Sequence, residues 1–498
     1  MMNDSTTGSI MSKMLNKCKQ IIDSAASGAA NIRKVFGSYL SASYILSKET
    51  IRYKCNGYTY NEYMKQLALQ MSKENIFFIK FFQAVCTTSH PLLTDDVTHY
   101  LNTFTDNAPY TSSEIDVESL ERLIKEFSIE IKRPFVPIKS GTISLIFEGM
   151  LESGQSVIIK CKRVGINEKI ENAIIHMNSL ISFTRFVPHI QNLSIHDIYN
   201  ENKQSIIDQL SFDTEVRNIE LFYSKWNKPG LDYVKIPKVH SEITKQIPSV
   251  IVMERIVGDT IYNVDRDDKD AYAKLLAKFN FKSVFYDSVY HGDIHPGNIF
   301  FIKELKQKTV ASIDDDDDDD DDDEESGEES GDESGDKSNG EESGDKSSDK
   351  ENEKNKNKYK YKIGIIDFGI VGTIKREMQN TIFHLFKGLH EKNHDAVARC
   401  IIDNLIEPKN VLTCEKNNEL IDIISKYSES HFGKDTHRFL DAEDIIKINK
   451  TLNAYNVQFS KEFCKIELSF AISDSVCKML TNKTTYVDQL LAIFSNYS

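Results

Sequence analysis

The chain has 498 residues, 40% apolar and 28% charged, which allows roughly two to three domain equivalents and an ample core. Its formal charge of −15 is misleading, because residues 314–350 hold 21 acids against 3 lysines, a local −18 that leaves +3 for everything else. A folded part so nearly neutral excludes an extended basic face for nucleic acid, and eight cysteines (Cys18, Cys55, Cys86, Cys161, Cys400, Cys414, Cys464, Cys477) with no CxxC pair exclude zinc-finger spacing and a disulfide framework.

Residues 1–55 open with a Ser- and Ala-rich stretch carrying Lys13, Lys17, Lys19, Arg33 and Lys34. It reads as a frayed amphipathic helix or as a mitochondrial presequence; Asp4, Asp23 and the scarcity of arginine favour the helix. A basic helix of this kind also suits peripheral contact with a membrane surface. No apolar run reaches the length of a span and no secretory signal is present. An intracellular, cytoplasmic chain is expected, with the mitochondrion as the alternative.

Further along, PIKSGTISLIFEGM places Ser140, Gly141 and Thr142 in a turn between apolar residues. Glycine there lets backbone amides approach an anion, although an ordinary hairpin has the same pattern. VIIKCKR runs apolar up to Lys160 as a short buried strand ending in charge would, although a strand-end lysine reaching out to water has the same pattern. QLSFDTEVRNIELFYSKW spaces Leu210, Phe212, Val216, Ile219 and Leu221 as a helix would, with Glu215 in its first turns and Asp213 and Glu220 as rival acids. IPSVIVMERIVGD gives a buried strand, Val250 to Met253, running into a polar linker.

Two separated signatures give these pieces a purpose: HGDIHPGNIFF at His291 to Phe301 and KIGIIDFGIVG at Lys362 to Gly372. They stand in kinase order. Phosphoryl transfer asks a protein mainly to position groups and neutralise charge; an Asp orients the nucleophile, an Asn five residues later holds one Mg²⁺, and the DFG Asp holds the metal that bridges the phosphates. Those roles fall on Asp293, Asn298 and Asp367, with ATP and Mg²⁺ as cofactors. By the same logic Lys160 becomes the phosphate-binding lysine, Glu215 the acid that aligns it, Ser140, Gly141 and Thr142 the phosphate-covering turn, and Met253 and Glu254 part of the stretch, reaching to Arg255, whose backbone meets adenine.

Between the signatures lies an acidic segment of ten consecutive aspartates and an ESGD-like repeat, too polar to repay ordering. Residues 304–358 are therefore expected to be a disordered insert within a hairpin formed by IFFIK and YKIGII. Closing a loop of some fifty extra residues costs only about 1–2 kcal/mol. A solvated low-complexity expansion explains it as well as a tethered polyanion would. Residues 375–498 show repeated helical spacing, as in MQNTIFHLFKGLH and KIELSFAISDSVCKML, and no APE-type element follows DFG.

Taken together, HGDIHPGN and IDFGIVG resemble the HADPHPGN and IDFGMVG of the UbiB/ADCK family of atypical kinase-like proteins of coenzyme Q biosynthesis, and the resemblance runs over about residues 75–400. VIIKCKRVGI and EVRNIELF are similar to its VAVKVQRPGI and EAxNxxxF, NIFFIKFFQAV to its KxGQ motif, and TDNAPY to its QDNVPP. The resemblance places a nucleotide-site role on Lys80 and Gln83, and it implies a helical extension over the site where a peptide would otherwise dock. A small-molecule or lipid-linked acceptor follows from that. Phe82 stands where the family has glycine, Lys139 to Thr142 replace its alanine-rich loop, and Gln209 and Ser211 replace its ExD acids. Aminoglycoside and choline kinases share the HGDLHPGN type of loop but lack DFG and the KFFQ and DNAP segments.

The expected architecture is α+β: a bilobal protein-kinase-like fold with a helical N-terminal extension (56–135), an N-lobe (136–257) and a C-lobe (258–498) that carries the acidic insert. The expected activity is that of an atypical kinase or ATPase; a small-molecule phosphotransferase and a catalytically weak nucleotide-gated scaffold are the alternatives.

Overall fold

In this computed structural model the described residues are 57–74, 108–174, 207–306, 359–409, 411–433 and 442–496, with residue 100 and scattered positions between 44 and 55. Lys80, Phe82 and Gln83 lie outside them, as do most of the first 55 residues and the acidic insert from residue 307 to 358.

Helix α1, Tyr60–Glu74, starts at Thr59. The Thr59 amide donates to Glu62 at 2.8 Å and the Glu62 amide to the Thr59 hydroxyl, a reciprocal bond that satisfies two end groups. Leu67, Ala68 and Met71 form its buried stripe. Helix α2, Val117–Phe127, is capped by Asp116, which accepts from the Ser119 amide. Its Leu120 and Leu123 sink into a core with Ile131, Leu145, Phe147, Val157, Ile159, Cys161, Val250 and Val252. Helix α2, which falls within the extension expected from the sequence, is thereby packed on the sheet. An amphipathic helix needs an apolar face to cover, and this one covers the sheet.

That sheet contains β1 (Glu130–Ile131), β2 (Lys139–Ser140), β3 (Ser144–Met150) and β4 (Ser156–Lys162). Beside β4 lies the strand Val250–Glu254, which is β6. β1 and β2 both pair with β3. On β4 the period of two sends Val157, Ile159 and Cys161 into the core and leaves Lys160 and Lys162 on the other face. Helix α3, Phe212–Trp226, lies against that face. Its N-cap is Ser211, which accepts from the Thr214 amide. Leu210, expected inside the helix, sits in the turn before it.

The second core is larger: it joins the buried face of α3 and Ile251 and Met253 of β6 to the C-lobe. Helix α4, Lys269–Phe285, buries most of its circumference through Tyr272, Ala273, Leu276, Ala277, Phe279, Phe281 and Val284 and leaves Lys274 and Lys278 exposed, as a helix at the centre of a lobe does. Around it pack α5 (Arg376–His390), α6 (Lys461–Leu480) and α7 (Tyr486–Ser495). Two separate cores with a sheet-rich lobe above and a helical lobe below make this an α+β, bilobal protein-kinase-like fold.

Two small ladders bring the distant signatures together. Strand β7 (Val289–His291) pairs antiparallel with β10 (Val371–Thr373), His291 opposite Val371. Strand β8 (Ile299–Leu305) pairs with β9 (Tyr359–Ile365) from Ile299 opposite Ile365 to Leu305 opposite Tyr359. The short β5 (Val234–Lys235) lies parallel to β9. The hairpin thus closes across the insert, and β8 runs through residues 304 and 305, which the sequence assigns to the insert; ladder pairing with Tyr359 and Lys360 keeps them ordered.

Candidate active site

Lys160 is the centre of the cleft. Its ammonium donates to Glu215 Oε1 at 2.6 Å and to Asp367 Oδ2 at 2.7 Å. Three elements remote in sequence, β4, α3 and the loop after β9, thereby converge on one atom. Of the rival acids only Glu215 is buried; Asp213 and Glu220 face solvent. Burial works against the charge on Lys160, but Asp367 and Glu215 outweigh it and hold its pKa above the ordinary value. For Asp367, too, burial opposes ionisation, and the attraction and hydrogen bond of Lys160, with the Gly369 amide, hold the carboxyl well below the usual carboxylate range. Glu215 goes the other way, since burial and the neighbouring Asp367 exceed what Lys160 and the Phe368 amide return.

The two loops are locked to each other by His291, which is fully buried. Its Nδ1 accepts from the Asp293 amide at 3.2 Å and its Nε2 lies 2.5 Å from the Asp367 carbonyl. A ring that accepts at Nδ1 and donates at Nε2 is the neutral tautomer, and burial, the largest influence, lowers its pKa despite the Asp367 carbonyl. From the C-lobe, Ser469 on α6 donates to the His291 carbonyl at 2.7 Å. The Asn298 amide group donates to the Asp293 carbonyl at 2.9 Å, and the Ile366 amide donates to the Asn298 carbonyl at 3.1 Å. Asn218 on α3 donates to the Phe368 carbonyl at 2.9 Å. Phe368 itself is buried, its ring 5.2 Å from both Phe222 and His291, so the DFG segment is pinned to α3 on one side and to the HGDIHPGN loop on the other.

Gly292 has a local reason. A Cβ there would come within 2.6 Å of Ile370 Cγ2. The resembled family has alanine and methionine at these two positions, and this chain has glycine and a β-branched residue, so the same volume is filled from the other side. Gly292→Ala should lower stability by about 1–3 kcal/mol, and adding Ile370→Met should recover most of it. The check is the denaturant midpoint of the three proteins; a single variant as stable as the wild type would refute the steric account.

The turn at 140–142 differs from expectation. Ser140 is buried, its hydroxyl donating to the Ala108 carbonyl at 2.6 Å and accepting from Arg163 at 2.8 Å, so it has no hydroxyl to spare for phosphate. The Gly141 amide donates to the Ser144 carbonyl. What remains without a partner among the described residues are the amides of Thr142 and Ile143. In the linker, the Glu254 amide is taken by the Lys238 carbonyl and the Arg255 amide by Ser156. A base stacked there would meet the Glu254 carbonyl and the Ile256 amide instead, with Met253 itself buried in the strand. These shifts arise from hairpin and ladder registers that residue type does not encode. Two further residues stand in the cleft: Lys162, which the sequence did not single out, and Gln209, which stands where the resembled family has an acid. Lys162, half-buried, donates to the Leu210 carbonyl at 2.6 Å, and Gln209 lies 3.5 Å from where a Cβ on Gly369 would be.

Residues 111–314 match the ABC1 atypical kinase-like domain, a stretch that includes Lys160, Glu215, Asp293 and Asn298. Over that stretch the chain is similar to the ABC1 atypical kinase-like domain. It is 31% identical over 239 residues to the probable protein kinase UbiB of Aeromonas salmonicida, covering 45% of this chain and 42% of that one. With the protein of the same name from Pseudomonas aeruginosa it shares 27% over 246 residues, 47% and 45% of the two chains. The matches thus span less than half the length of these relatives. Among solved structures, the Rv3197–erythromycin complex from Mycobacterium tuberculosis is similar at 15% identity and a TM-score of 0.40, over 96% of this chain and 95% of that one. The Rio2 kinase–ADP/Mg²⁺–phosphoaspartate complex from Chaetomium thermophilum aligns at 12% identity and a TM-score of 0.27, over 76% and 96%.

Proposed function

We propose that this chain binds ATP with Mg²⁺ and transfers the terminal phosphoryl group, to an acceptor hydroxyl or to water. The observation that carries the reading is the convergence of Glu215 and Asp367 on the Lys160 ammonium, with Asp293 and Asn298 fixed alongside through His291. The donor set suits the metal. No group of three or more His, Cys, Asp or Glu among the described residues could hold a metal alone, and Mg²⁺ is commonly held by one or two protein oxygens plus phosphates, here the Asp367 carboxylate and the Asn298 side-chain oxygen. Bound there, the ion would supply positive charge to the bridging phosphate oxygens.

The protein's own groups do the rest. Lys160 offers its ammonium to the phosphates, in competition with Asp367, while Glu215 keeps it oriented from behind. Asp293 is about one-quarter exposed, and its carboxylate faces the acceptor, orienting the hydroxyl or water and taking its proton. Thr142 and Ile143 present amides to phosphate oxygens, and the Glu254 carbonyl with the Ile256 amide meets the base. Lys80 and Gln83 would act from the extension, as the family resemblance implies. That extension favours a small-molecule or lipid-linked acceptor over a peptide. No helix among the described residues is long and apolar enough to cross a membrane, so a lipid-linked acceptor would be met by peripheral contact.

Purified protein given Mg²⁺-ATP and no acceptor should release ADP slowly, and EDTA should stop it. ATP binding without any turnover would replace this reading with that of a nucleotide-gated scaffold, and absence of binding would overturn it altogether.

A further inference from the structure

Arg163 ends β4 three residues beyond Lys160 and is 2% exposed. Its Nη1 donates to the Pro109 carbonyl at 2.8 Å and lies 3.4 Å from Glu114 Oε2. Its Nη2 reaches the Gly141 carbonyl at 2.6 Å, Ser140 Oγ at 2.8 Å and the Ala108 carbonyl at 3.3 Å. Around that guanidinium the backbone is stitched as well: the Ala108 amide donates to the Ser140 carbonyl at 2.7 Å, the Arg163 amide to Ile143 at 3.0 Å, and the Val164 amide to Glu114 at 2.9 Å. Glu114 is held from its far side by Lys169 at 2.5 Å.

One buried side chain thus clasps two segments: residues 108–114, which lead into the N-lobe, and the turn at 140–143 that faces the nucleotide. Burying a guanidinium is costly unless its donors are used; here both Nη atoms are spent on those two segments, on the Pro109, Ala108 and Gly141 carbonyls, Ser140 Oγ and Glu114, while the buried Nε has no partner among the described residues. Planar, forked donors suit such bridging; an ammonium on a flexible stem does not. We infer that Arg163 is a positioning residue for the nucleotide turn, fixing the Thr142 and Ile143 amides and making nucleotide affinity depend on how residues 108–110 are docked. Because those residues follow the extension directly, whatever moves the extension would be felt at the phosphates. The inference rests on the ATP reading above.

The test is the Mg²⁺-dependent Kd of a fluorescent ATP analogue, measured on the full chain. Arg163→Lys should weaken binding about tenfold and Ser140→Ala about three- to fivefold, as expected when charge-assisted bonds at one junction are lost. The double variant should be little worse than Arg163→Lys, because both act on one junction. Leu123→Ala, which opens the N-lobe core away from the turn, should lower Tm yet leave Kd within about twofold. Equal affinity in the wild type and both junction variants would overturn the inference, as would a Leu123→Ala loss matching that of Arg163→Lys, since the effect would then be stability alone. If Arg163→Lys does not fold, Ser140→Ala decides by the same criterion. A wild type that binds no analogue removes the ATP reading first, an outcome distinct from both.

Discussion

Asp293→Asn should cut phosphoryl turnover by about a thousandfold while nucleotide binding stays within a few-fold of the wild type, whereas Asp367→Asn should lose turnover and the Mg²⁺ dependence of binding together. The two differ because of what each carboxylate touches. The Asp293 backbone is fixed by His291 and Asn298, so replacing its carboxylate with an amide leaves the loop in place and removes only the proton acceptor. Asp367 presents one oxygen to the Gly369 amide and the other to Lys160, and its charge is the one the metal requires. ADP release together with a binding titration, each with and without EDTA, separates the outcomes. Full turnover in Asp293→Asn would remove that residue from the reaction, and undiminished Mg²⁺ dependence in Asp367→Asn would remove it from the metal site.

Much of this was legible in the residues because the chemistry demands particular types at particular spacings. HGDIHPGN and DFG identify themselves and make Lys160 a candidate, while helical spacing offers Glu215 with Asp213 and Glu220 as rivals that only their exposure sets aside. What the residues left open was governed by register and by long-range backbone contacts. Nothing about Ser140 says that its hydroxyl turns inward to Ala108, nor about Glu254 that its amide is spent on Lys238. Arg163 looked like the tail of a charged strand end, and only tertiary closure makes it a junction. His291 carried a signal of its own: a histidine two residues before Asp293, with glycine between them, is placed to bridge backbone groups. In the sequence α2 reads as one more helix of an extension, because nothing in its own spacing names the sheet it covers.

Lys160→Met should be the most destabilising single change in the cleft. It leaves Glu215, 2% exposed, and Asp367, 30% exposed, facing each other with no cation between them, and removing one partner of a buried ion pair typically costs about 3–5 kcal/mol. The pH dependence gives the mechanism away. In the wild type the raised pKa of Lys160 means its contribution is fully present below 10.5 and lost as pH climbs through the folded value. The depressed pKa of Asp367 means its contribution is fully present above 3.8 and lost as pH falls through the folded value; both therefore operate near neutrality. Glu215, already raised from 4.5 by burial, resists ionisation, and without Lys160 it and Asp367 would each hold protons to higher pH in the folded chain than in the unfolded one. Where the native state binds more protons, stability falls as pH rises. Lys160→Met should accordingly regain part of its loss between about pH 7 and pH 5, and Lys160→Met with Glu215→Gln should be more stable than Lys160→Met at pH 7. Denaturation midpoints across that range decide it: a loss that is the same at every pH would mean that packing of the lysine stem, and not the stranded carboxylates, holds the two lobes' elements together at this point.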